Sequence, residues 1–192
     1  MIKRLLVLYL ACMGLSAPAG ADYASAMAAY RSGDFAAAAR EFRRLAEGGS
    51  VQAQSVLALM YEYGEGVEQD PVEAARWYRR AAAGGHVGAQ YILGGLYATG
   101  IGVQRDDAEA LRWYRRAARQ GHAGAQYELA RMLEEGRGAQ QDLTAARRWY
   151  DKAAAQGHRQ AAARLESSLQ APMLRTNPAP PVNTHAPPDA GH

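Results

Sequence analysis

Residues 89–122 read AQYILGGLYATGIGVQRDDAEALRWYRRAARQGH, and this stretch decides the fold. Ala89, Leu93, Leu96 and Tyr97 fall at i, i+4, i+7 and i+8, which lays one apolar stripe along a first helix. Gly100-Ile101-Gly102-Val103 breaks that helix with two residues free to leave the right-handed region. Asp106 is placed to accept from the open N–H groups of a second helix, with Glu109 three residues on completing a capping-box pattern. The second stripe is Ala110, Trp113, Tyr114, Ala117 and Ala118, and Gly121 follows where a left-handed stop is wanted. The segment predicts an antiparallel pair of helices.

The pattern recurs with a step of 36 residues. Trp77, Trp113 and Trp149 keep the step, as do Gly85, Gly121 and Gly157 with the histidines after them, His86, His122 and His158. Asp70, Asp106 and Asp142 mark three second-helix starts, and Gly64/Gly66, Gly100/Gly102 and Gly136/Gly138 mark three turns. In the first of these units Pro71 follows Asp70, at the helical position where a missing donor costs nothing. Alanines at 74, 110 and 146 face Ala58, Gly94 and Ala130, so helix axes can approach to the low end of about 8–10 Å. Tryptophan and tyrosine then fill the space between hairpins, burial that one unit could not provide alone.

Working outward, one more step back aligns Asp34, Ala38, Phe42 and Gly49 with Asp70, Ala74, Tyr78 and Gly85, which predicts a further hairpin over 22–49 with Glu41 in place of the tryptophan. A capping helix is expected over 159–170, where Glu166 and Ser168 stand at the positions of Ala130 and Met132 and give a polar end. Residues 1–21 read as an export leader: Lys3 and Arg4, an apolar run from Leu5 to Leu15, then Ala19-Gly20-Ala21. That run is shorter than the roughly 20 residues a membrane-spanning helix needs. From Ala171 six prolines follow within 22 residues, so 171–192 are expected to be a disordered tail, serving as a spacer or a short docking peptide.

Composition narrows the function. The chain of 192 residues is 48% apolar and 21% charged with a net charge of +3, a balance that suits a packed core and not a nucleic-acid binder. Two phenylalanines against 20 glycines do not suit a sandwich or barrel. The single cysteine, Cys12, excludes an internal disulfide and leaves with the leader.

The motif Ala89-Gln90, Leu93-Gly94, Leu96-Tyr97, Gly100-Ile101-Gly102-Val103, Asp106, Ala110, Trp113-Tyr114, Ala117-Ala118, Gly121-His122 resembles the Sel-one-like repeats (SLR), a branch of the tetratricopeptide-repeat superfamily. The resemblance covers three units over 50–158 and implies an all-α fold, an α-solenoid of antiparallel helix hairpins wound as a right-handed superhelix. It also implies a scaffold or adaptor role: assembly of envelope complexes, restraint of a sensor's external domain, or contact with host proteins.

Chemical sites are scarce. Three histidines in successive units sit at least one helix packing distance apart, about 8–10 Å, and cannot share an ion whose ligands stand about 2 Å away, so no metal site is expected and the rings are expected to close the hairpins by packing. Some SLR relatives bind penicillin or are described as β-lactamases, but a serine–lysine site needs Ser three residues before Lys, and Lys152 is preceded there by Trp149. No catalytic residue and no cofactor is expected. A murein-active enzyme or a polysaccharide-associated factor are the competing readings.

Two surfaces remain. Arg76, Arg79, Arg80, Arg112, Arg115, Arg116, Arg119, Arg147 and Arg148 lie on second helices away from the tryptophan stripe, a convex basic strip suited to a solvated face or to weak contact with anionic envelope components. The resemblance implies that the first helices line the inner curve, with Gln52, Ser55, Leu59 and Glu62, then Gly88, Tyr91, Gly95 and Ala98, then Gly124, Tyr127, Arg131 and Glu134. These positions change from unit to unit while the core positions do not, so packing does not fix them. Ser55, Leu59, Glu62, Tyr91, Gly95, Tyr127, Arg131 and Glu134 are therefore the candidate groove residues for a protein or peptide partner, with Tyr and Arg the types that dominate binding hot spots. The expected location is the periplasm, with release from the cell as the alternative; nothing in the sequence marks an oligomeric state.

Overall fold

The computed structural model describes residues 20–170. The expected leader, apart from its last two residues, and the expected tail from 171 lie outside that range. Every regular element among the described residues is a helix: α1 Gly20–Ser32, α2 Phe35–Glu47, α3 Val51–Tyr63, α4 Pro71–Ala83, α5 Val87–Thr99, α6 Asp107–Arg119, α7 Ala123–Glu135, α8 Leu143–Ala155 and α9 Arg159–Gln170. Each packs on its neighbours in the chain, first on second helix within a hairpin and second on first between hairpins. The result is an α-solenoid.

Both kinds of helix start are built from side chains. Asp34, Asp70, Asp106 and Asp142 cap α2, α4, α6 and α8, and the Asp106 carboxylate accepts from the N–H groups of Ala108 and Glu109 at 2.9 and 3.0 Å. The reciprocal half of the expected capping box is not made. Glu109 pairs instead with Arg112 at 2.5 Å, and the Asp106 N–H donates to the Tyr97 carbonyl at 2.9 Å, which ties the second helix back to the first.

The stripes close as the spacing demands. Ala110, Trp113, Tyr114, Ala117 and Ala118 are buried, and so are Ala89 and Leu93. Leu96 and Tyr97 are half-buried against the same core. Trp77 and Trp113 are buried, whereas Trp149, in the last described hairpin, is only partly covered.

The second glycine of each turn does more than break a helix. A Cβ at Gly66, Gly102 or Gly138 would collide with the backbone carbonyl of Phe35, Pro71 or Asp107, the first residue of the second helix one unit earlier. Each turn therefore rests backbone to backbone on the preceding hairpin, an approach open only to glycine, and all three glycines have positive φ. In the third unit Arg137 reinforces this seat with an ion pair to Asp107 at 2.6 Å, and the guanidinium holds that carboxyl below the usual range.

Candidate functional site

The first helices carry the side chains expected to line the inner curve, and their starts are set by residues that spacing alone did not assign. His86, His122 and His158 are the N-caps of α5, α7 and α9, with Nδ1 accepting from the N–H of Ala89, Ala125 and Ala161 at 3.1, 3.1 and 3.4 Å. Packing was the role expected of these rings; capping is an additional one. The signal lay in the alignment, since the position one step before His86 is Ser50, whose Oγ caps α3 by accepting from Ala53.

Tyr91 and Tyr127 are held by those caps. The Tyr91 ring stacks on His122 with centroids 4.5 Å apart, and Tyr127 stacks on His158 at 4.6 Å. Each tyrosine also leans on the second helix of its own unit, Tyr91 on Tyr114 and Tyr127 on Tyr150, at 5.9 and 5.7 Å. Both rings thus join their own hairpin to the cap of the following first helix and remain partly open to solvent. Burial raises the Tyr91 phenol above its ordinary value, with the Glu128 carboxylate adding to the shift.

The flanking positions differ unit by unit. Glu62 accepts from the Tyr78 hydroxyl and Glu134 from the Tyr150 hydroxyl, each at 2.7 Å. Burial, aided by the carboxylate, pushes both phenols well up, so they remain donors at any ordinary pH. Tyr114 has Ala98 where its carboxylate would stand; its ring instead lies over Gly94, and its hydroxyl approaches Gly95. Arg131 pairs with Glu128 at 3.0 Å and reaches Glu135 at 3.9 Å. Tyr91, Gly95, Tyr127, Arg131 and Glu134 are thus partly exposed on α5 and α7.

The first unit departs from the expected lining. Ser55 and Leu59 are each 1% exposed, within a run from Ala53 to Met60 that is buried throughout. Leu59 joins the apolar cluster that also holds Met27, Tyr30 and Tyr78, so α3 is enclosed and these two side chains offer no open face. Of the first-unit positions Gln52 and Glu62 are partly open, and the Glu62 carboxylate is engaged by Tyr78.

A second set of residues escaped the reading. Gln54, Gln90 and Gln126 are buried and donate to the Ala46, Ala82 and Ala118 carbonyls at the end of the preceding helix, at 3.1, 3.1 and 3.2 Å. Gln120 and Gln156 then donate to Gln90 and Gln126 at 2.7 Å, tying the end of each second helix to the start of the first helix of the same unit.

The arginine strip is less free than expected. Arg80 and Arg116 lie over the Trp77 and Trp113 rings at 4.5 Å, and Lys152 covers Trp149 at 4.4 Å. Arg43 and Arg79 donate to Tyr61 and Tyr97 at 2.7 and 3.0 Å. These cations serve as lids on aromatic rings. A cleft of about 470 Å³ lies near Arg79, Tyr97, Gln104, Arg105, Asp106 and Glu109, but its charged groups are already engaged in the Tyr97, Asp107, cap and Arg112 contacts. Among the described residues no group of three or more His, Cys, Asp or Glu is placed to hold a metal ion, and no helix is long and apolar enough to cross a membrane.

Comparison with known proteins fits this geometry. The Sel1 repeat model matches residues 51–86, 87–122 and 123–158. The chain is 44% identical to a Sel1 repeat protein from Oxalobacter formigenes, with a TM-score of 0.63 over 67% of this chain and 96% of that one. It is 45% identical to c5321, described as a protective antigen present in uropathogenic Escherichia coli strains displaying an SLR fold, with a TM-score of 0.62 over 64% of this chain and 26% of that one. Among curated proteins none matches the chain. With three consecutive units matched and the caps and glycine seats of each in register, the chain belongs to the Sel1 repeat family.

Proposed function

We propose that this chain is an exported scaffold that holds a protein or peptide against the strip formed by α5 and α7, within the envelope.

 The observation that carries this reading is the state of Tyr91 and Tyr127, half-open to solvent yet each fixed by a stacked histidine and a neighbouring tyrosine. A ring already held in one rotamer loses little further entropy when a partner covers it, and tyrosine supplies a large contact area with a polar tip. Gly95 lies on the same helix, leaving space for a ligand backbone, and Arg131 adds a charged group on α7. Sel1 repeats are protein-interaction repeats, which supports the class of partner. The leader-like sequence over 1–21 supports export, with the periplasm as the site of action in envelope assembly or signalling.

The test is capture from an envelope extract by the parent chain and by a Gly95→Gln variant. A Cβ at Gly95 meets nothing nearer than the Tyr114 hydroxyl at 3.5 Å, an ordinary contact, so the added side chain projects into the strip without disturbing the core. Loss of the captured partner at unchanged helix content supports the reading. Equal capture by both chains refutes it.

A further inference from the structure

The junctions between successive second helices repeat one arrangement of arginines, and the junction of α6 with α8 alters it. Between α2 and α4, Arg43 donates to the Tyr61 hydroxyl at 2.7 Å and Glu73 pairs with Arg76 at 3.1 Å. One step of the repeat later, between α4 and α6, Arg79 donates to the Tyr97 hydroxyl at 3.0 Å and Glu109 pairs with Arg112 at 2.5 Å. Arg79 and Glu109 line the same cleft there, so the two arginines flank one carboxylate. Between α6 and α8 the equivalent residues are Arg115, Leu133, Ala145 and Arg148. Both acceptors are gone and both cations stay.

Other charges are stripped from the same place. Arg105 and Asp107, which pair at 3.1 Å in the preceding junction, become Gln141 and Leu143. Two acids remain on α8 or at its start. Asp142 is held as the cap, its Oδ1 accepting from the Ala145 N–H at 2.8 Å, and Asp151 follows Arg148 by one turn without pairing with it. Among the described residues Arg115 and Arg148 make no hydrogen bond, ion pair or ring contact. Arg115 is nevertheless partly buried, whereas Arg43 and Arg79, with their tyrosine partners, are exposed. A covered guanidinium that lacks an acceptor has given up water without replacing it.

The form of the missing acceptor follows from the donors. One carboxylate matches one guanidinium fork and would leave the second arginine as it stands, while the free oxygens of a phosphoryl group can face two forks at once. We propose that Arg115 and Arg148 form an anion site at the junction of α6 and α8, apart from the α5 and α7 strip, that takes a phosphoryl group as inorganic phosphate or a phosphomonoester.

The arginine Nε–Hε resonances of the full chain, followed by NMR as inorganic phosphate replaces chloride at constant ionic strength, read the site directly. Arg115 and Arg148 are expected to shift together and saturably, with Arg76 and Arg119 unmoved. Ala145→Glu restores the acid that Glu73 and Glu109 supply at the earlier junctions, and should weaken phosphate binding about tenfold. Thr144→Glu adds the same charge at the adjacent exposed position and should leave binding nearly unchanged. Absence of a saturable shift at the two arginines overturns the proposal. So does equal weakening by the two variants, which would mean diffuse attraction to a basic face. Phosphatidylcholine vesicles carrying phosphatidic acid offer the same group on a surface: cosedimentation that Ala145→Glu abolishes assigns the site to a lipid phosphomonoester, and a phosphate-induced shift without cosedimentation assigns it to a soluble one.

Discussion

The ring of Tyr91 lies on the ring of His122, with centroids 4.5 Å apart and planes inclined by 23°, while Nδ1 of the same imidazole caps α7. A backbone N–H can only donate, so the capping nitrogen carries no proton and the imidazole is neutral in the native state. Burial lowers the His122 pKa below its ordinary value of about 6.5. The unfolded chain therefore takes up a proton that the folded chain refuses. The contribution is fully present above about 6.5 and is lost as pH falls through that value towards the folded pKa. His122→Ser keeps a cap of the kind Ser50 provides and removes the titration. Melting temperatures at pH 8 and pH 5 should fall by less across that interval in the variant than in the parent; equal falls would refute the coupling.

The seat glycines separate two costs. Gly85 has a φ of +91° with nothing within 4 Å of an added Cβ, so Gly85→Ala should cost only the left-handed strain, about 1–2 kcal/mol. Gly102 has a φ of +68° and faces the Pro71 carbonyl, so Gly102→Ala adds a backbone collision that no side-chain rotation relieves. Chemical denaturation should place Gly102→Ala clearly below Gly85→Ala. A match between the two would mean that the turn does not rest on the preceding hairpin.

Repetition made most of this architecture readable before any coordinates. Trp77 and Trp113, the aspartate caps and the paired turns announce themselves because packing demands the same residue type at the same place. The limits of that reading have the same origin. His122 and Ser50 fill one structural role with different chemistry, so a search for identical residues missed the shared cap. Ser55 and Leu59 occupy inner-curve positions by register, but burial depends on what surrounds α3 in space, which no periodicity reports. The arginines illustrate the same gap, because a helical wheel places Arg80 and Arg116 away from the core without revealing that each folds back over a tryptophan.

The middle unit differs from its neighbours at two coupled positions. Ala58 and Ala130 become Gly94, and the carboxylates Glu62 and Glu134 become Ala98. A Cβ at Gly94 would stand 2.8 Å from the Tyr114 ring, so Gly94→Ala forces that ring to move. Overpacking of this kind costs about 1–3 kcal/mol, against a helix-propensity gain of about 1 kcal/mol. Adding Ala98→Glu supplies the acceptor that Tyr78 and Tyr150 use. The double variant should therefore melt above Gly94→Ala alone, and a double variant that melts no higher would show that the two differences are unrelated.

The tryptophans rank by how fully the neighbouring helices cover them. Trp113 is buried in the cluster it shares with α3 and α4, while Trp149 is only partly covered at the last hairpin. Trp113→Ala empties an enclosed site and removes the platform under Arg116, so a loss on the order of 3–5 kcal/mol is expected. Trp149→Ala leaves a site that solvent can enter and that α9 can relax into, and its loss should be smaller. Urea unfolding with tryptophan fluorescence replaced by circular dichroism measures both without interference from the deleted chromophore. Equal losses at the two positions would mean that stacking of successive units does not set the stability of each, and the additive picture of repeat energetics would not hold for this chain.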